Sequence, residues 1–197
     1  VSLGRWQWGR YEVKRELWTQ FERGAGEPVA LGSRATADLP RYARVRLEGR
    51  WLPRRQFLLD NRTHDGRAGY EVLTPFERPD GRLVIVDRGW VPFSGYRDRL
   101  PDVAAAFAGF DPATPVTLLG RLDELPSAGL AGGRAAPALD GAWPRVTAYP
   151  TPAQLAAALG VPLAEAQALD TGADPGGGAG AGARLERRVL LLDATEA

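Results

Sequence analysis

The chain has 197 residues, a formal net charge of +1, 44% hydrophobic and 25% charged residues, which suits one domain with a substantial core. The near-neutral balance gives no sign of the broad basic surface that a nucleic-acid binder needs. Cysteine and methionine are absent and histidine occurs once, which excludes a disulfide framework and soft-ligand metal sites of the zinc or iron–sulfur kind. All but Lys14 of the 25 basic residues are arginine, a bias that fits a GC-rich genome with its abundant Ala, Gly and Pro. The start at Val1 without Met reads as an excised piece of a longer protein.

Residues 3–22 carry a helical pattern closed by Gly24. Leu3, Trp6, Val13, Leu17 and Phe21 make one apolar stripe; Trp8, Tyr11 and Trp18 line a second, among Arg5, Arg10, Lys14 and Arg15. Two readings fit: a membrane-interface collar of Trp6, Trp8, Tyr11 and Trp18, or an amphipathic helix packed on the domain. Residues 27–40 are aperiodic and expected to form a loop. Residues 42–50 alternate, with Ala43, Val45 and Leu47 on one face and arginines and Glu48 on the other, which predicts a strand with one wet face. A second strand is expected over 56–62, followed by a turn at Asp65-Gly66.

The strongest pattern follows. Tyr70, Val72, Thr74 and Phe76 alternate with Glu71 and Leu73, which predicts a half-buried strand. Pro79, Asp80 and Gly81 supply a turn, and residues 83–86 are an apolar, mostly β-branched run. The two strands form an antiparallel hairpin ending on Arg88, Gly89 and Trp90, with Pro92 stopping the pairing. Residues 98–109 hold a short helix after Pro101 or a loop excursion. Further strands are expected at 115–124, 143–149 and 188–192, and a brief one at 166–170. Thr151, Pro152 and Gln154 form the N-cap, first turn and capping box of a small helix with Leu155 and Leu159 buried; Gly160 and Pro162 end it. Prolines and glycines interrupt the uncharged run 146–164 and argue against a membrane span. The fold class is α+β, a mostly antiparallel sheet curled toward a barrel, with an N-terminal helix and a small inserted helix. The domain plan is a helix at 1–24 and a β-rich unit at 41–193 with a flexible Gly/Ala loop at 172–183.

Catalytic patterns are weak. Gly178, Gly180 and Ala183 formally fit a dinucleotide fingerprint, but a Gly/Pro loop precedes them and a strand follows, so a linker is expected. His64 sits in a turn, where an exposed polar residue is the default; an acid–base pair with Asp65 is the alternative. Asp60, Glu71 and Asp87 could converge in a sheet, though strand charges usually face water. Arg88 shares a face with Val84, Val86 and Trp90, so either a strand-end salt bridge or a bound acidic group must satisfy it. Tyr70, Arg88, Gly89 and Trp90 are the candidate partner or ligand contacts; no catalytic, cofactor-binding or metal residue is assigned.

The ordered set Leu3, Gly4, Arg5, Trp6 and Gln7, followed by Arg10, Lys14 and Leu17; Tyr42, Val45 and Gly49; Gly69, Tyr70, Val72, Thr74 and Pro75; Arg88, Gly89, Trp90, Val91 and Pro92; and Gly120-Arg121 resembles the surfeit locus protein 1 family. The resemblance implies a non-enzymatic assembly factor for haem-copper cytochrome c oxidase, assisting haem a insertion or subunit I maturation. It further implies flanking membrane helices and a domain on the periplasmic side of the bacterial inner membrane. Its partners would be oxidase subunit I or other assembly factors. The histidine usually proposed as haem ligand has no counterpart here, so no cofactor is assigned to this chain, with haem a left to the full-length protein. The alternative function is a soluble β-barrel module that binds an acidic small molecule through Arg88, Tyr70 and Trp90.

Overall fold

A computed structural model describes Thr19 and residues 26–127, 133–164 and 183–193. The expected N-terminal helix with Trp6, Trp8, Tyr11 and Trp18, the strand at 166–170 and most of the Gly/Ala loop lie outside the described residues. Eight strands form one sheet: β1 (Val29–Ala30), β2 (Arg44–Trp51), β3 (Phe57–His64), β4 (Arg67–Glu77), β5 (Arg82–Pro92), β6 (Val116–Asp123), β7 (Arg145–Thr147) and β8 (Arg184–Leu192). One α-helix is described, α1 (Pro152–Leu159). Two 3-10 turns, Thr36–Asp38 and Ala105–Phe107, take the place of pure loop in 27–40 and of a helix after Pro101.

The sheet closes. Its order is β1-β2-β6-β8-β5-β4-β3-β7, and β2 also pairs with β4 through Arg50↔Glu77 and Trp51↔Phe76. Strands β2, β6, β8, β5 and β4 therefore make a five-stranded barrel, from which β3 and β7 extend. Most pairings are antiparallel; β1–β2, β3–β7 and β5–β8 are parallel. Inside lie Val45, Leu47, Phe76, Val84, Val86, Leu122 and Leu190. So small a barrel leaves no room for side chains everywhere. A Cβ on Gly49 would collide with the Glu77 carbonyl and the Phe76 ring, and one on Gly120 with the Leu191 carbonyl. These two glycines let the strands approach at the closure.

Strand β2 alternates as its sequence demands, with Val45, Leu47, Gly49 and Trp51 buried. Strand β4 is buried on both faces from Val72 to Phe76, not on one. Its Phe76 side fills the barrel, while Leu73 packs outside with Leu83, Ile85, Leu155 and Leu185. The outer face is dry because α1 covers it. The Thr151 hydroxyl accepts from the Gln154 amide at 3.2 Å, and the Gln154 side chain accepts from the Thr151 amide at 2.8 Å. Gly160 ends the helix at φ 73°. Two arginines then satisfy its terminal carbonyls: Arg145 donates to Ala158 at 2.7 Å and Arg55 to Leu159 at 2.9 Å.

The β4–β5 turn carries a buried ionic cluster that the sequence did not announce. The Arg78 side chain is 0% and that of Glu186 2% exposed, and they pair at 2.8 Å. Arg78 also donates to the carbonyls of Gly32 at 2.6 Å and Arg34 at 2.9 Å. The other Glu186 oxygen accepts from the Thr36 amide and hydroxyl at 3.2 and 3.1 Å. One carboxylate thus joins the loop after β1, the hairpin turn and β8. Among the described residues no helix is long and apolar enough to cross a membrane.

Candidate functional site at the open end of the barrel

Pairing between β4 and β5 stops at Pro92, as expected, but it is not regular up to that point. It runs to Gly69↔Pro92, with a shift between Leu73↔Asp87 and Glu71↔Trp90. Two residues of β5, Arg88 and Gly89, therefore oppose Val72 alone. This is a β-bulge, a device that bends a strand and re-aims its side chains. Gly89 takes φ 104°, a conformation side-chain-bearing residues rarely adopt, and its amide donates to Asp87 Oδ1 at 2.9 Å. The expected strand tip is a bulge within a longer strand.

At the first position of the bulge, Arg88 follows Val84 and Val86 on the interior face and arrives at the barrel mouth. Its guanidinium donates to Gln56 Oε1 at 3.1 Å and lies 4.3 Å from the Phe107 ring centroid and 6.0 Å from that of Trp51. Gln56 is held in turn, accepting from Thr74 Oγ1 at 3.0 Å and donating to Pro53 at 2.8 Å. Trp51 sits edge-on to Phe76 and Phe107. Among the described residues Arg88 has no carboxylate within ion-pair reach, so the expected strand-end salt bridge is absent there. Burial lowers its pKa, yet a guanidinium stays charged at neutral pH.

Beyond the bulge, Trp90 covers the space a Gly69 side chain would need. Its ring lies 5.5 Å from His64, and its indole nitrogen points at the Arg62 carbonyl at 3.4 Å. His64 is 66% exposed at the side chain, 3.6 Å from Asp65. Of the three candidate carboxylates, Glu71 and Asp87 share one cleft and feel each other's charge, while Asp60 is not among its lining residues. Asp60 pairs with Arg97 at 2.8 Å and Glu71 with Arg62 at 2.9 Å. Asp87 is pushed up to about 6 by burial and by Glu71, against the pull of the Gly89 amide and Arg62. Among the described residues no three His, Asp or Glu side chains are placed to hold a metal ion.

A cleft of about 880 Å³ opens here, with Trp51, Phe107, Leu118 and Leu192 among its apolar walls and Glu71, Asp87, Arg88, His64 and Asp193 among its polar ones. Of the expected contacts, Arg88, Gly89 and Trp90 line it. Tyr70 does not: it is 2% exposed, packed with Leu58, Val72 and Val103 and edge-on to Phe93. Alternation puts Tyr70 on a defined face of β4 but cannot say which end of that face reaches the mouth. Trp51, Phe107 and Gln56 were not expected at the site; continuing the β2 alternation two steps past Leu47 reaches Trp51, whereas nothing local marks the other two.

The SURF1 family model matches residues 1–192. The chain belongs to the SURF1 family. A SURF1-like protein of Dictyostelium discoideum is 32% identical over 110 residues, 49% of this chain and 41% of that relative. A SURF1-like protein of Rickettsia felis is 29% identical over 92 residues, 46% of this chain and 40% of that relative. The aligned part thus spans about two fifths of either relative's length. The SURF1 family is generally known for cytochrome oxidase assembly. In this member, family-like positions acquire physical reasons: Gly49 and Gly120 allow barrel closure, Gly69 receives the Trp90 ring, and Gly89 makes the bulge.

Proposed function

We propose that this chain is the extramembrane domain of a non-enzymatic assembly factor for haem-copper cytochrome c oxidase. It works on the periplasmic side of the bacterial inner membrane, on subunit I or with other assembly factors, at the stage of haem a insertion or subunit maturation. The observation that carries this reading is the family match over residues 1–192. The barrel mouth supports it as a binding surface: an aromatic-walled cleft with a half-buried cation is suited to docking. The test is deletion of the full-length gene in the organism that encodes it. Oxidase activity and the haem a absorbance of its membranes are expected to fall together and to return on complementation; normal values for both would overturn the reading. A second reading, a module for an acidic small molecule, is favoured by the missing carboxylate at Arg88. It predicts an intact oxidase in the deletion strain and binding of a free organic acid by the purified chain.

A further inference from the structure

Three features of the barrel mouth combine. The first is charge. Among the lining groups, Glu71 is paired with Arg62 and Asp193 with Arg44 at 2.8 Å, and Asp87 accepts from the Gly89 amide at 2.9 Å, while Arg88 has only a neutral amide and an aromatic face. A half-buried guanidinium without a counter-charge is costly to keep, and an incoming carboxylate would relieve that cost with charge-assisted hydrogen bonds.

The second is a strand edge. Strand β8 pairs with β5 only as far as Asp87↔Leu191, while β4 accompanies β5 to Pro92. Among the described residues no strand lies against β5 beyond Asp87 on the side opposite β4. Within the described residues this edge leaves Trp90 and Val91, though not the Gly89 amide that Asp87 holds, to offer backbone groups to an extended chain, the geometry used in β-strand addition. The third is apolar wall. Trp51, Phe107, Leu118 and Leu192 flank the cation and can take the alternate side chains of such a strand. A small acid would use the first feature alone; a polypeptide uses all three.

We propose that the barrel mouth docks an extended segment of a partner polypeptide, running along the open edge of β5 at Trp90 and Val91, with an Asp or Glu side chain paired to Arg88. Neighbouring apolar side chains of the segment fill the space between Trp51, Phe107 and Leu118. This deepens the function proposed above by giving the partner's chemistry, and it rests on that reading only for the partner's place in oxidase assembly.

The test is selection of a random twelve-residue peptide library on the purified 197-residue chain, in parallel with Arg88→Gln and Thr117→Glu. Thr117 is exposed on the cleft rim, so its replacement adds a repelling charge without touching the core. Thermal melts check that each variant folds. Peptides with one fixed Asp or Glu among apolar residues are expected to be enriched. The best of them should bind Arg88→Gln at least tenfold and Thr117→Glu several-fold more weakly than the parent, and its Glu→Gln or Asp→Asn version should lose the same factor on the parent. Amide shifts on binding should centre on Trp90 and Val91. No enrichment, enriched peptides without an acid, or equal binding when Thr117→Glu and Arg88→Gln are both folded would each overturn the proposal. The selection does not involve the oxidase, so a normal oxidase in the deletion strain would remove the assembly role and leave the docking site standing.

Discussion

Two charged groups, the buried Glu186 and the half-buried Asp87, are satisfied in opposite ways and should behave oppositely when removed. Glu186 meets Arg78 at 2.8 Å and Arg82 at 3.0 Å and accepts twice from Thr36. Glu186→Ala leaves the buried Arg78 guanidinium with Asp80, at 3.1 Å, as its remaining carboxylate and strands the Thr36 amide and hydroxyl, and the expected loss is about 3 kcal/mol in a urea unfolding curve. Replacing both, Arg78→Met with Glu186→Leu, should cost clearly less than Glu186→Ala, because no buried guanidinium is left short of a partner. Equal losses would mean that packing, not charge, governs this cluster. Asp87 has no ion-pair partner, and its folded pKa of about 6 lies above its ordinary value of 3.8. The folded state therefore holds the proton more tightly between these values, so its contribution to stability is present below about pH 4 and lost as pH rises through 6. The groups around it are Glu71 and Arg62 on the neighbouring strands, Arg88 on its own, and His64 and Asp193 across the cleft. Asp87→Asn can keep the Gly89 hydrogen bond and should raise stability at pH 7.5, by roughly 1–3 kcal/mol, with little gain at pH 4. A pH-independent difference between the two proteins would show that this carboxyl does not titrate as described.

Among the elements, those legible in the sequence are held by local rules. Strand β2 is readable because its inward residues repeat every second position, and α1 because Thr151, Pro152, Gln154 and Gly160 write its start and stop. The bulge at Arg88 and Gly89 has no local signature beyond the glycine itself; only the β4 register shows that two residues of β5 oppose one and that pairing resumes beyond them. The glycines also separate two kinds of strain. Gly89 has open space where a Cβ would stand, so Gly89→Val suffers from its φ of 104° alone, and a loss of about 1–3 kcal/mol is expected. Gly49 has an ordinary φ but no space, since the Glu77 backbone stands in the way. Gly49→Ala must push β2 from β4 at the barrel's closing contact, and should lower the melting temperature more than Gly89→Val despite the smaller side chain. The reverse order would mean that the bulge, rather than the closure, limits the fold.

For the whole molecule, what the sequence could not disclose is what joins residues about a hundred positions apart. Arg82 pairs with Arg184 across β5 and β8, and Arg78 meets Glu186 across the same interval. Neither contact has a periodic signature, because each depends on the sheet having already curled. Strand β8 is accordingly the element on which closure turns. It stands between β5 and β6, contributes Leu185, Val189 and Leu190 to two hydrophobic clusters, and supplies the carboxylate that fixes the hairpin turn. Without it, β5 and β6 become open edges and the barrel interior faces water. A chain ending at residue 183 is therefore expected to lose its near-ultraviolet circular dichroism and cooperative melt while keeping part of its strand signal. A synthetic peptide of residues 184–193, added in trans, should restore both, since the slot between β5 and β6 offers hydrogen bonds on either side. The same peptide with Glu186→Ala should restore them at higher concentration only. If the shortened chain melts with unchanged cooperativity, the β2–β4 contact rather than β8 is what holds the barrel together.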